Sequence, residues 1–257
     1  MRHGDLVGAL ILRRKGEFDM SESHSVSLRW RLAAAGFALA VVAAGCSVTQ
    51  RARVTNPNYC PFLGGDVCAK LTRTTNDSEL DLRYINPSAQ WTRYNKVLIE
   101  PVTFWGGDET SVSAADQRAL TNYFYQALQQ ELAKKFQVVD EPGPGVMTVH
   151  VALEDATTAT PVLRTVSVAE PHVRVVATLK YLATGTFPFV GSAQVEGKIT
   201  DSVTGQVLAA GVDKRVGGGS LTTAAQWQWG DAENALTYWA QQLATRLSSW
   251  TSGTPTT

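Results

Sequence analysis

The sequence predicts an α/β (α+β) fold: one domain, a mixed or antiparallel sheet with two main helices, in the order β-α-β-β-(α)-β-β-α. Three observations predict it. Apolar residues recur every three to four positions over two stretches, Leu120 to Phe136 and Leu236 to Trp250, which is the stripe of an amphipathic helix. They alternate with polar residues over Met147–Glu154 and Ala193–Thr200, which is the signature of a strand with one buried face. Turn chemistry at Asp201-Ser-Val-Thr-Gly205 then separates the second of these from Val207–Val212 and makes a hairpin.

Each element follows from local residues. Val97-Leu98-Ile99, continuing to Val102 and Phe104, is a run suited to a buried strand. Pro101 has no N–H for a ladder, so it marks a bulge or the strand end. Ser113-Ala-Ala-Asp116 is a capping box with Asp in place of Glu. The first helix follows, with Leu120, Phe124, Leu128, Leu132 and Phe136 as its stripe. Phe136–Asp140 reads as a short strand ended by Pro142-Gly-Pro-Gly145. Residues 172–183 fit a strand by their β-branching or a short helix by their spacing. Gly217-Gly-Gly219 breaks the last strand, and Asp231 is placed to cap a helix with Leu236, Trp239, Leu243, Leu247 and Trp250 on its stripe.

The N-terminus has a different character. Leu32–Ala44 is an uncharged apolar run behind Arg29 and Arg31. At about 1.5 Å per residue it makes roughly 20 Å of helix, short of a bilayer core of about 30 Å. That length fits the core of a secretory signal. Residues 1–45 are therefore expected to be a signal peptide, with Met20 a more ordinary start than Met1. The run ends in Val42-Ala43-Ala44-Gly45-Cys46, which resembles the lipobox of bacterial lipoproteins. The resemblance implies cleavage before Cys46 and acylation of its sulfur, which holds the chain to a membrane. Ser47, rather than Asp, after the cysteine implies the outer membrane, with the domain facing the periplasm. Residues 46–58 read as a lipidated cysteine and flexible tether, 59–250 as the domain and 251–257 as a disordered tail.

Lipidation leaves two thiols, Cys60 and Cys68. In an exported chain these are expected to form a disulfide across a turn at Gly64-Gly65. Closing a loop this short contributes roughly 2.5 kcal/mol. A zinc site is the weaker reading, since two cysteines without a nearby histidine make a poor one.

Several classes of function are disfavoured. With 23 Lys and Arg against 23 Asp and Glu the chain is neutral, unlike a generally basic nucleic-acid binder. Gly218-Gly-Ser220 lacks the second glycine of a nucleophile elbow, and Gly217-Gly-Gly219 has no lysine to make a phosphate loop. His150 falls on the polar face of its strand and reads as solvated, as does His172. The acid pairs Asp108-Glu109, Asp140-Glu141 and Glu154-Asp155 sit at strand ends or in loops, where acids are usually hydrated. No catalytic residue, metal site or cofactor is assigned. Seven tryptophans leave one candidate surface. Trp227 and Trp229 stand in a polar loop, where exposed indoles would stack on a sugar ring or anchor a partner protein. The alternative is a lid packed over the sheet edge.

Four segments carry a wider resemblance: Asp81-Leu-Arg-Tyr-Ile-Asn-Pro87, Tyr94-Asn-Lys-Val-Leu-Ile-Glu-Pro-Val102, Val139-Asp-Glu-Pro-Gly-Pro-Gly145 and Asp201-Ser-Val-Thr-Gly205. In their order and spacing the chain resembles the bacterial lipoproteins of "domain of unknown function 3313" from about Tyr59 to Leu247. The resemblance implies an exported, lipid-anchored domain and brings no activity or catalytic residues. The order of elements is also similar to small envelope-lipoprotein domains that help build secretion channels or activate cell-wall synthases, an analogy of fold order alone. The expected function is a non-enzymatic binding or scaffolding module whose partner is an envelope protein. A glycan or peptidoglycan binder using the tryptophans is the second reading, and a hydrolase the third.

Overall fold

The computed structural model describes residues 49–58, 60–107, 110–159, 190–217 and 228–254. All of them belong to one compact unit, Cys46–Thr257. The signal segment, Met20, Cys46, His172, Trp227 and residues 172–183 lie outside the described residues, as do the pair Asp108-Glu109 and the end of the tail, 255–257.

Nine described strands form one mixed, open sheet: β1 (Thr49–Ala52), β2 (Thr72–Arg73), β3 (Leu82–Ile85), β4 (Lys96–Ile99), β5 (Thr103–Phe104), β6 (Gln137–Val138), β7 (Val146–Thr157), β8 (Ser192–Asp201) and β9 (Val207–Gly217). Their order is β2-β3-β9-β8-β7-β4-β6, with β1 also on β9 and β5 also on β7. The helices are α1 (Gly65–Cys68), α2 (Ala114–Ala133) and α3 (Gly230–Thr251). The α/β (α+β) class and the two main helices agree with the expectation.

The sheet changes character at β7. On one side β4 and β6 run parallel, joined by α2 as a crossover. On the other, β7, β8, β9 and β3 are antiparallel. Pro101 falls between β4 and β5, which both pair with β7, so the expected long first strand is split where the N–H is missing. The hairpin turn is built by Asp201: its Oδ1 accepts from the N–H groups of Val203 and Thr204 at 3.0 and 2.8 Å, and Gly205 takes φ 69°.

α2 begins as its sequence dictates. Ser113 Oγ accepts from the N–H of Asp116 at 3.1 Å, and its hydroxyl donates to the Asp116 carboxylate at 2.8 Å. Its stripe of Leu120, Phe124, Leu128 and Leu132 is buried against Met147, Val149 and Leu153 of β7, Val195 and Ile199 of β8, and Leu236, Trp239 and Leu247 of α3. Each such side chain contributes about 2 kcal/mol by leaving water. A smaller cluster forms on the opposite face. There Val54, Leu63 and the Cys60–Cys68 pair cover Leu82 of β3 and Ala210 and Val212 of β9. The two sulfurs are bonded.

Four expectations are corrected. The segment read as a flexible tether is in part a strand: Thr49–Ala52 pairs with Lys214–Gly217 along the β9 edge beyond β3, and Val54 is buried. Backbone pairing at an edge asks little of side chains, so polar residues serve, and Arg51 is held by Asp77 and Thr74. Asp231 does not cap α3, whose N-cap is Trp229. Its buried carboxylate accepts from the N–H of Gly191 at 2.8 Å. The start of the tail is ordered: the N–H of Thr254 reaches Ser249 O, and Gly253 adopts φ 87°, closing the helix end. Finally, Glu154 is not hydrated but buried, for a reason that concerns the other face of the sheet.

Candidate functional site

The sheet face under the helices contains a hollow, and glycine makes it. Val151 on β7, Gly197 on β8 and Gly211 on β9 are direct cross-strand partners, so they form one row facing α2 and α3. A Cβ on Gly211 would collide with Leu80, which lies across it. A Cβ on Gly197 would meet nothing closer than 3.5 Å. The missing side chain leaves a cavity of about 140 Å³ roofed by Phe124, Leu128, Trp239, Leu243 and Trp250. The walls are almost wholly apolar.

Apart from Lys198, whose ammonium lies over the Phe62 ring under the disulfide loop, charge is confined to the mouth. Glu79, Arg83 and Arg246 line it, and both guanidiniums donate to the same carboxylate oxygen, Oε1 of Glu79, at 2.9 and 3.1 Å. Both arginines are partly exposed, whereas Glu79 is nearly covered. Behind the roof, Trp239 Nε1 donates to the Asp213 carboxylate at 2.8 Å, and Arg215 pairs with the same oxygen at 3.0 Å. Burial pushes the Asp213 carboxyl up, and Arg215, Trp239 and the Asp81 N–H pull against that. Arg215 also stacks 3.7 Å from the centre of the Tyr238 ring.

A second group of polar residues lies on the opposite face, under the disulfide loop. Glu196 is fully buried and accepts the N–H of Leu63 at 2.8 Å. Its neighbour Glu154 accepts from Gln194 Nε2 at 2.6 Å. Burial first, and the hydrogen bond to Glu154 next, push the Glu196 carboxyl up to about 8. Two carboxylates are acceptors only, so that bond needs a proton on one of them. The Oε1 atoms of both are buried and have no other donor, which the shared proton answers.

His150 is not simply solvated. Its Nδ1 lies 2.8 Å from Glu100 Oε2 and its Nε2 2.9 Å from Thr200 Oγ1. The order carboxylate–imidazole–hydroxyl is that of a hydrolytic triad. The hydroxyl, however, belongs to a buried threonine in the body of β8, and none of the three residues lines the hollow. The arrangement reads as a polar bridge across β4, β7 and β8.

The tryptophan surface is also corrected. Trp229 is 3% exposed and packs in the main core, so it offers no face to a sugar. Trp239 is buried as its stripe requires, and Trp91 packs at 4.7 Å on Trp250. Among the described residues the exposed indole is Trp105, whose Nε1 donates to Thr103 and whose ring meets that of Phe62 edge-on.

Sequence reasoning missed Glu79, Arg83 and Arg246: the first two stand four residues apart, but Arg246 is distant in the chain and meets them only through the fold. One signal was present: Gly197 occupies an inward position of an otherwise apolar alternation, Ala193, Val195, Gly197, Ile199. A residue with no side chain where the core expects one marks a bulge, a close approach or a hollow.

The family model described as "Protein of unknown function (DUF3313)" matches residues 62–243. No curated protein matches. Among solved structures the chain is similar to the PelC dodecamer from Paraburkholderia phytofirmans, at 9% identity and TM-score 0.34, covering 63% of this chain and 94% of that one. It is similar to protein XCC0632 from Xanthomonas campestris, of family DUF330, at 10% identity and TM-score 0.35, covering 65% and 92%. It is also similar to the hypothetical protein CT253 from Chlamydia trachomatis, at 10% identity and TM-score 0.37, covering 62% and 98%. At these values none of the three assigns the chain an activity.

Proposed function

The chain belongs to the DUF3313 family of proteins of unknown function, and from that premise we propose that it is a lipid-anchored protein of the bacterial outer membrane, facing the periplasm, whose domain is a non-enzymatic binding module. The anchor rests on the apolar run Leu32–Ala44, the small residues before Cys46 and the Ser47 that follows. Several acyl chains on one cysteine hold firmly, since each buried methylene contributes about 0.8 kcal/mol. The bonded Cys60–Cys68 pair suits an oxidising compartment. Replacing Cys46 with serine moves the protein out of the membrane fraction; retention there would count against the anchor.

One observation carries the binding reading: the apolar hollow under α2 and α3. Well-packed interiors leave few voids larger than a water molecule. An apolar cavity of about 150 Å³ stays dry and takes up a small hydrophobic molecule, and the hollow here is of that size. Trp239 and Trp250 line it and report its occupancy. The test is titration of the Cys46–Thr257 unit, which holds every described element, with Cys46 replaced by serine. The unit takes up 1-octanol, read by tryptophan fluorescence. The Gly197→Val variant, whose side chain fills the floor, loses at least about tenfold in affinity while keeping its circular-dichroism spectrum. Equal binding by both proteins would overturn the reading.

A further inference from the structure

We propose that the hollow takes an amphiphile with an apolar tail and a single anionic head, the head seated between Arg83 and Arg246. This rests on the binding reading above and goes further by stating the class of ligand. The tail follows from the walls, which offer a polar group almost nothing to bond to below the mouth. The size follows from the volume: about 140 Å³ accommodates roughly one ring or five methylenes, with the rest of a longer chain and the head in the open mouth.

The head follows from the charge count. Two guanidiniums and one carboxylate meet at the mouth, a net excess of one positive charge. Both arginines donate to the same oxygen of Glu79, so neither makes a two-pronged pair with it. Arginine presents five donors in a fork matched to a carboxylate or phosphate, and most of those on Arg83 and Arg246 remain for a ligand. The nearby Asp213 does not cancel the excess, because Arg215 neutralises it behind Trp239. Lys198 also lines the hollow, but its ammonium stands 5.6 Å from the centre of the Phe62 ring, on the sheet face away from the helices, and the other lining groups with polar tips, Ser78, Tyr84, Tyr238 and Gln242, are uncharged. Partial burial of the pair limits screening by solvent, so an incoming anion meets a stronger field than on the open surface.

Octanoate, 1-octanol and octylammonium separate the elements of the proposal, because they share one tail. Each is titrated against the Cys46–Thr257 unit carrying Cys46→Ser, with tryptophan fluorescence as the readout. Octanoate binds at least about tenfold tighter than octanol, and octylammonium weaker than either. Arg246→Gln and Arg83→Gln each bring octanoate down to the affinity of octanol and leave octanol unchanged. Glu79→Gln acts in the opposite direction and tightens octanoate severalfold, because it frees both guanidiniums. A purely structural role for Glu79 would weaken all three probes together, so that pattern overturns the proposal. Octanol and octanoate binding equally would also overturn it and leave the binding reading standing. Failure of every probe to bind would remove both. Octanol affinity shows for each variant that the hollow is intact, and if one arginine variant does not fold the other carries the test.

Discussion

Replacing Glu196 with glutamine probes the buried carboxyl pair where its chemistry is most exposed to measurement. The side chain is fully buried and holds the Leu63 N–H through Oε2, and the nearness of Glu154 favours a proton shared between the two carboxyls. In the unfolded chain this carboxyl releases its proton near 4.5; in the fold it keeps it up to about 8. The folded value is the raised one, so the contribution of Glu196 to stability is complete below 4.5. It then falls as pH climbs, and it is lost above about 8. The slope is about 1.4 kcal/mol per pH unit within that window. Over the whole window the loss is at most about 5 kcal/mol, a large part of the 5–15 kcal/mol of an ordinary domain. Glutamine has the shape of the protonated acid and carries no proton to lose. It can still accept from Leu63, and its amide can donate to Glu154. Urea denaturation of both proteins at intervals from pH 5 to 9, followed by tryptophan fluorescence, measures the difference. The two are expected to be similar at pH 5, with the variant more stable by several kcal/mol at pH 9. If the difference between the two proteins does not change with pH, the shared proton is refuted.

Two further perturbations test the packing around these sites. Replacing both Cys60 and Cys68 by alanine should cost about 2.5 kcal/mol from loop entropy, seen as a lower urea midpoint, while wild type treated with reductant falls to the same value. Gly217→Ala should destabilise by more than about 1 kcal/mol, because its Cβ would stand 2.3 Å from the Asp231 carboxyl that anchors Gly191; an unchanged melting temperature would show that this junction yields freely.

The parts of the fold that were legible are those where one face of an element decides its residues. The stripe of α2, the alternation in β7 and β8, and the Asp201 turn all state their structure locally. The split of the first strand could be placed because Pro101 lacks a donor. What stayed hidden is set by partners distant in sequence. β1 and β3 lie on the edge of β9 through backbone bonds that place few demands on side chains. Alternation put Glu196 and Lys198 on the face away from the helices, but it could not tell that a disulfide loop returns to cover that face. Trp229 was misread for a related reason. Its neighbours in sequence are polar, while its neighbours in space are the core. The hollow was half legible, in Gly197, and its arginines were not.

The early start of β1 has a consequence for geometry at the bilayer. A free segment of twelve residues would let the domain roam about 20 Å from its anchor. Here only Ser47 and Val48 separate Cys46 from Thr49, three steps with a reach of at most about 10 Å. Were that cysteine acylated, as proposed, the end of the sheet where Thr49 meets Gly217 would lie close to the lipid headgroups. Gly211 is six strand residues further along, about 20 Å away at 3.3 Å per residue. If the anchor is as proposed and the sheet stands upright on it, the hollow would lie clear of the lipid, and a ligand would reach it from the aqueous side or from another protein rather than by lateral slide out of the leaflet.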